Sequence, residues 1–318
     1  MSKLLNVSSS PHVRCGVSTK NLMYDVAIAM LPATIWGVMQ FGIYSLIVVV
    51  ATVLSCVLSE YLFETLMHKP VTISDGSALV TGMILGLNMP PAIPLWMPIL
   101  GGVFAIIVVK QLYGGLGQNW MNPALAARCF MLISFAQAMT KFTDPVTDAV
   151  ASATPLAAIK AGDTYDLAAM FIGKIPGTIG EVSVIALLIG AAYLLVKKVI
   201  TIRIPAAYIL SFAVFAFIFG QHNINYVLAE VCGGGLIFGA FFMATDYVTS
   251  PTTTKGKLVF GIGLGIITCA IRFLGRMNEG VSFAILLMNL MVPYIEVLTR
   301  QDRLGIAKVK KSKEGAAK

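Results

Sequence analysis

Residues 43–67 read IYSLIVVVATVLSCVLSEYLFETLM, and from Ile43 to Ser59 no side chain carries a charge. About 18 to 20 predominantly apolar residues are what a helix needs to cross roughly 30 Å of hydrocarbon. The apolar residues run together and do not alternate, so the stretch fits a spanning helix and not a strand of a membrane barrel. The same kind of block recurs along the chain. About ten segments are expected, near 22–40, 43–67, 76–90, 95–112, 119–138, 181–199, 204–220, 229–245, 257–274 and 280–299. Of the 318 residues, 57% are hydrophobic and 12% charged. That charged fraction is about half of what a soluble domain carries. The expected class is therefore all-α, a polytopic membrane protein.

Three segments depart from a plain span. The third, SDGSALVTGMILGLNMPP, is short and rich in small residues; the fifth opens at Asn119 and Asn122-Pro123; the eighth holds Gly233-Gly234-Gly235. Breaks of this kind survive in a membrane where the freed backbone groups face protein or a cavity. The fourth and fifth segments also share a pattern with the ninth and tenth: a basic residue closes one helix, a turn with Gly and Asn follows, and then a second helix. Five helices per half would place two repeats in inverted orientation. The chain divides accordingly into an N-terminal segment (1–21), a first half (22–138), a polar loop (139–180), a second half (181–299) and a basic tail (300–318).

Lys and Arg bias sets the orientation. With the N-terminus in the cytoplasm, 17 of the 23 basic residues fall on the cytoplasmic side, Lys110 and the tail among them. Lys141, Lys160, Lys174, Arg272 and Arg276 fall outside, and Arg128 sits within a helix. Both termini are then cytoplasmic, and the 139–180 loop is extracytoplasmic. The net charge of +8 belongs largely to the tail, which suits anionic lipid. No basic face interleaved with aromatics suggests nucleic acid. The five cysteines are dispersed, and His12, His68 and His222 lack companions at ligand spacing, so no metal site is expected. The N-terminus shows no secretory signal pattern.

The long loop contains TDPVTDAVASATPLAAIKAGD. Read by local chemistry alone, Thr154-Pro155 is a helix N-cap followed by proline at the first helical position. The segment Asp148 to Thr154, however, resembles the flavinylation motif of the family that contains RnfD, a membrane protein of the Rnf ion-translocating electron transport complex, and its counterpart in the Na+-pumping NADH:quinone reductase. In that motif an aspartate stands six residues before an Ala-Thr pair. Asp148, Ala153 and Thr154 match, while Ala151 and Ser152 depart but stay small. SSSPHVR, LMYDVAIAMLPA, ISDGSALVTGMILGLNMPP, NWMNPALAARCF and FFMATDYVTSP carry the resemblance over nearly the whole chain.

The resemblance implies FMN joined to the Thr154 hydroxyl through a phosphoester, put in place by a flavin transferase. It also implies a cell-membrane complex with subunits A, B, C, E and G, passing electrons between ferredoxin and NAD+ and exporting Na+ or H+. A second, noncovalent flavin between the helices is part of the same expectation. Arg128, Arg272 and Arg276 are candidate neighbours of the flavin phosphate, the last two read as an outer loop. Asp25, Asn88, Asn119 and Asn122 are candidates for an ion path, with Asp75, Asp246 and Glu230 weighed at segment ends. Broken helices also suit a transporter or channel without a redox cofactor, a reading that leaves Asp148 to Thr154 explained only as a helix cap.

Overall fold

The computed structural model describes residues 18–143, 150, 151, 155–161, 166–220, 222–275 and 279–300. The first half is built of α1 (Thr19–Phe41), α2 (Ile43–Leu66), α3 (Ser77–Leu87), α4 (Trp96–Gln111) and α5 (Pro123–Ser134). The loop carries two short helices, α6 (Pro155–Ala161) and α7 (Leu167–Ile172). The second half contains α8 (Val184–Val196), α9 (Arg203–Phe219), α10 (Ile224–Cys232), α11 (Leu236–Met243), α12 (Thr254–Leu274) and α13 (Val281–Thr299).

Each of the ten expected segments overlaps one of these helices or, for the eighth, a bent pair. α1, α2, α12 and α13 are long and apolar enough to cross a membrane, and α10 with α11 makes a fifth such unit bent by 65°. α3, α4, α5, α8 and α9 are apolar but shorter. The outward sides of the helices are greasy: Met39, Leu58, Leu62, Leu210 and Leu298 are all exposed. An apolar surface of this extent is one that meets lipid or other protein rather than water.

Local chemistry explains where the helices start. Ser18, Ser183, Asn223 and Thr253 each accept a backbone N–H at the head of α1, α8, α10 and α12. Asn122 does the same for α5, where Pro123 supplies a preset φ. The short helices are bounded by glycine: Gly76 (φ 79°) precedes α3 and Gly234 (φ 65°) precedes α11. Both positions lie in the left-handed region that a side chain resists. Two stretches are wound more loosely than an α-helix, as π-helix: Phe104–Gln111, the end of α4, and Gly239–Met243, most of α11. The expectation of an all-helical chain needs one small correction. Phe142–Thr143 and Val150–Ala151 pair as a two-residue antiparallel ladder, β1 and β2, in the long loop. Two residues per strand give no period for a sequence reading to detect.

Packing follows glycine. α1 crosses α8, and α2 packs on α3 and α4, while α9 lies along α12. A Cβ on Gly82 would come 2.6 Å from Val53 Cα, so α3 approaches α2 at backbone distance. Between α9 and α12 the Tyr208 and Thr268 hydroxyls bond at 2.7 Å, both fully buried. Tyr208→Phe is expected to cost about 1 kcal/mol. A thermal-unfolding scan in detergent measures this.

Candidate functional site

Asp148, Ser152, Ala153, Thr154 and Arg276 lie outside the described residues. Their surroundings are described on both sides. α6 begins at Pro155, the residue after Thr154, and is pinned to the second half at two points. Leu156 is buried against Gly233 and Gly234, in the bend between α10 and α11. Lys160 Nζ donates to the carbonyl oxygens of Gly275 (2.8 Å) and Arg272 (3.2 Å). Met170 of α7 also reaches Gly233. The loop therefore seats the start of α6 on the broken helix, where only glycine leaves room.

Beneath Pro155 lies a shallow crevice lined by Thr178, Glu181, Gly234 and Glu279, among others, with about 10 Å³ of free volume. Arg128 stands behind it. Its guanidinium donates to Glu181 Oε1 and Ser282 Oγ (2.9 Å each) and to Glu279 Oε2 (2.7 Å). Arg272 was expected in a loop but belongs to the last turn of α12. It donates to the carbonyl (2.6 Å) and carboxylate (3.0 Å) oxygens of Glu230, and its plane lies over Phe212. Both arginines are buried and already matched by carboxylates. They frame the seat of α6; their charge is not free for a phosphate. Lys160 differs, because its partners are carbonyl oxygens.

A second feature lies between the halves, a cavity of about 80 Å³. Ser77, Thr81, Lys110, Asn119, Asn122, Thr245 and Asp246 give it polar walls, and Phe241 and Phe242 close it. Desolvation pushes the Asp246 carboxyl up, against hydrogen bonds from Thr249 and from the backbone of Val248 and Tyr247. Of the ion-path candidates, Asn119 and Asn122 line this cavity, but Asn122 Oδ1 already caps α5 and Asn119 Nδ2 donates to Met121 O. Asn88 ends α3 with its Oδ1 buried and unpartnered. Asp25 instead accepts from the Tyr193 hydroxyl (2.7 Å), joining α1 to α8.

The third feature was not expected. Lys110, expected on the cytoplasmic flank, is 2% exposed and ion-paired to Glu60 inside α2 at 2.7 Å. Glu64, one turn further on, is also buried. The signal was present: two carboxylates four residues apart in an apolar block share one helix face. Among the described residues no group of His, Cys, Asp and Glu has a metal-binding arrangement.

A sequence model of the NQR2, RnfD, RnfE family matches residues 6–305. The chain is 47% identical to the subunit designated D of the Na+-translocating ferredoxin:NAD+ oxidoreductase complex of Acetobacterium woodii, over 96% of this chain and 97% of the relative. It is 40% identical to the proton-translocating counterpart of Clostridium ljungdahlii, over 95% and 96%. It is 35% identical to the subunit of the same designation in the ion-translocating oxidoreductase complex of Actinobacillus succinogenes, over 95% and 98%.

Proposed function

This chain belongs to the NQR2, RnfD, RnfE family, and from that premise we propose that it is the flavin-carrying membrane subunit of an ion-translocating ferredoxin:NAD+ oxidoreductase. FMN is held by a phosphoester to Thr154, installed by a flavin transferase, and the chain works with the complex's other subunits, A, B, C, E and G. The observation that carries this reading is the coincidence of motif and seat. Asp148 to Thr154 matches the flavinylation pattern, and the next residue opens a helix fastened to the second half by Leu156 and Lys160.

The surroundings fit a tethered cofactor better than an enclosed one. A crevice of about 10 Å³ is far below the roughly 300 Å³ or more of a pocket that holds a ligand by enclosure. When bound, the flavin would supply a redox centre. The chain's own residues hold the helix that starts at Pro155, the residue after the attachment point, and the pairs of Arg128 with Glu181 and Glu279 and of Arg272 with Glu230 flank its seat. The cavity edged by Asn119, Asn122 and Thr245, at about 80 Å³, is below the same threshold, so its walls as they stand do not fit a second, noncovalent flavin.

The chain sits in the cell membrane with ten crossings in two inverted halves and both termini in the cytoplasm. The matched left-handed glycines before α3 and α11 support the repeat, and the positive-inside bias supports the orientation. Asp25, Asn88, Asn119 and Asn122 remain ion-path candidates. The two relatives that name an ion name different ones, so the ion is Na+ or H+.

The test is denaturing gel electrophoresis of the chain matured with the transferase, viewed under illumination that excites flavin. A fluorescent band in the wild type that disappears in Thr154→Ala is the expected result. A dark wild-type band favours the transporter reading without a redox cofactor.

A further inference from the structure

Near the end of the bundle where α5 starts and α13 finishes, a crevice with about 250 Å³ of free volume lies between Trp120, Thr249 and the stretch of α13 from Asn289 to Pro293. It borders the cavity between the halves at Asn119 and Val248, and its other walls are its own. Leu290, Val292 and Pro293 make one side apolar. Pro293 has no N–H for the carbonyl of Asn289, so the backbone ladder of α13 is interrupted at the same place. The crevice reaches the outer surface, since Trp120 is 42% exposed and Leu290 43%. Donors stand on the opposite side. The Trp120 indole N–H only donates, and Asn119 Nδ2 has given one of its two hydrogens to Met121 O.

Beyond the crevice the bundle ends in cations. Arg300 follows Pro293 by about 10 Å along the helix, at 1.5 Å per residue. The Thr253 and Thr299 hydroxyls bond at 2.7 Å, which ties the head of α12 to this end, and Arg203 donates to Thr254 Oγ1 at 3.0 Å. Arg203, Lys255 and Arg300 are all exposed. Glu296, the acid of this stretch of α13, already accepts from the N–H and hydroxyl of Thr252. The sequence after Arg300 continues the excess, with Arg303, Lys308, Lys310, Lys311, Lys313 and Lys318 against Asp302 and Glu314.

We propose that the crevice is a binding site for one anionic phospholipid. An acyl chain lies against Leu290, Val292 and Pro293, the glycerol esters meet Asn119 and Trp120, and the phosphate turns toward the Arg300 end. The size fits a molecule held in part. A pocket that encloses a ligand needs roughly 300 Å³ or more, whereas a lipid leaves its remainder in the bilayer. Tryptophan suits the level of the esters, with its ring in apolar surroundings and its N–H among polar groups. The cations select the headgroup: one basic residue near an anionic surface is worth a preference of about fivefold. The site depends neither on the flavin at Thr154 nor on which ion is carried.

Two measurements test it. The chain has three tryptophans, so Trp36→Phe with Trp96→Phe leaves Trp120 as the sole indole. This full-length variant, in detergent micelles, is titrated with phosphatidylglycerol bearing brominated acyl chains, which quench indole fluorescence on contact, and in parallel with brominated phosphatidylcholine. Saturable quenching is expected, at about fivefold less phosphatidylglycerol than phosphatidylcholine. Adding Val292→Phe, which fills the crevice, is expected to abolish the saturation. Quenching that rises in proportion to either lipid and ignores Val292→Phe means general bilayer contact only, and overturns the site. Saturation without a headgroup preference overturns its anionic character. The second measurement is native mass spectrometry of the assembled complex after detergent exchange, and it decides the matter if the tryptophan variant does not fold. The wild-type complex is expected to retain one phosphatidylglycerol more than the Val292→Phe complex. Equal lipid in the two, the result if a neighbouring subunit filled the crevice, overturns the proposal.

Discussion

Arg128→Met is expected to leave little folded chain in the membrane. Arg128 is the sole cation bonded to Glu181 and Glu279 among the described residues, and Glu181 is buried beside it. Removing one member of a buried ion pair strands the other without water, at a cost of about 3–5 kcal/mol. Two carboxylates are affected, so the upper end applies. The loss extends to the fold, because Arg128 joins α5 to the turn before α8 and to the head of α13 through Ser282. Fluorescence-detected size-exclusion of the tagged chain measures the folded fraction. Arg128→Met combined with Glu181→Gln is expected to recover part of it, since the stranded charge at that position is then gone. No recovery would mean that the arginine acts through its shape and not its charge.

Gly190→Val is expected to be as damaging, for a reason unrelated to charge. A Cβ at Gly190 would collide with the carbonyl oxygen of Ala29 on α1 and stand 3.0 Å from Phe242 Cζ. Gly37 on α1 is in the same position toward the carbonyl of Ile179. Gly190 sits where α8 crosses α1, and Gly37 faces the turn that leads into α8. Overpacking a core costs about 1–3 kcal/mol when side chains can yield, and a backbone carbonyl in a helix does not yield. The thermal midpoint in detergent is expected to drop further for Gly190→Val than for Gly82→Ala, and further for Gly37→Val than for Gly177→Ala. A Gly190→Val chain with an unchanged midpoint would show that the crossing is looser than its geometry.

What could be read from the residues in order follows from hydrophobicity and local chemistry. Residues 43–67 announce α2 because nothing but a helix buries that many apolar groups and satisfies its own backbone. Asn122-Pro123 announces the start of α5 for the same local reason. The bend after Cys232 is announced by three successive glycines. What stayed hidden needs partners distant in sequence. Arg128 meets Glu181, 53 residues away, and Ser282, 154 away. No spacing rule connects them, so Arg128 and Arg272 read as free cations although each is bound to a carboxylate. Lys110 misled in another way: a lysine closing an apolar segment is usually an interfacial residue, and only the fold reveals Glu60 beside it. Glu60 and Glu64 themselves are legible at their four-residue spacing within an otherwise apolar block.

The loosely wound end of α4 fixes which way Lys110 and Gln111 look. A π-helical turn accommodates one residue more than an α-turn, and each residue of an α-helix advances about 100° around the axis. Losing a single residue between Phe104 and Val109 would let that turn tighten and swing everything beyond it by about that angle. Lys110 and Gln111 would rotate off Glu60 toward the bilayer, with their own chemistry unaltered. Chain length in this one turn is therefore under the same constraint as the identity of the charged residues, and two sequences that keep Glu60 and Lys110 but differ there by one position would not share the pairing.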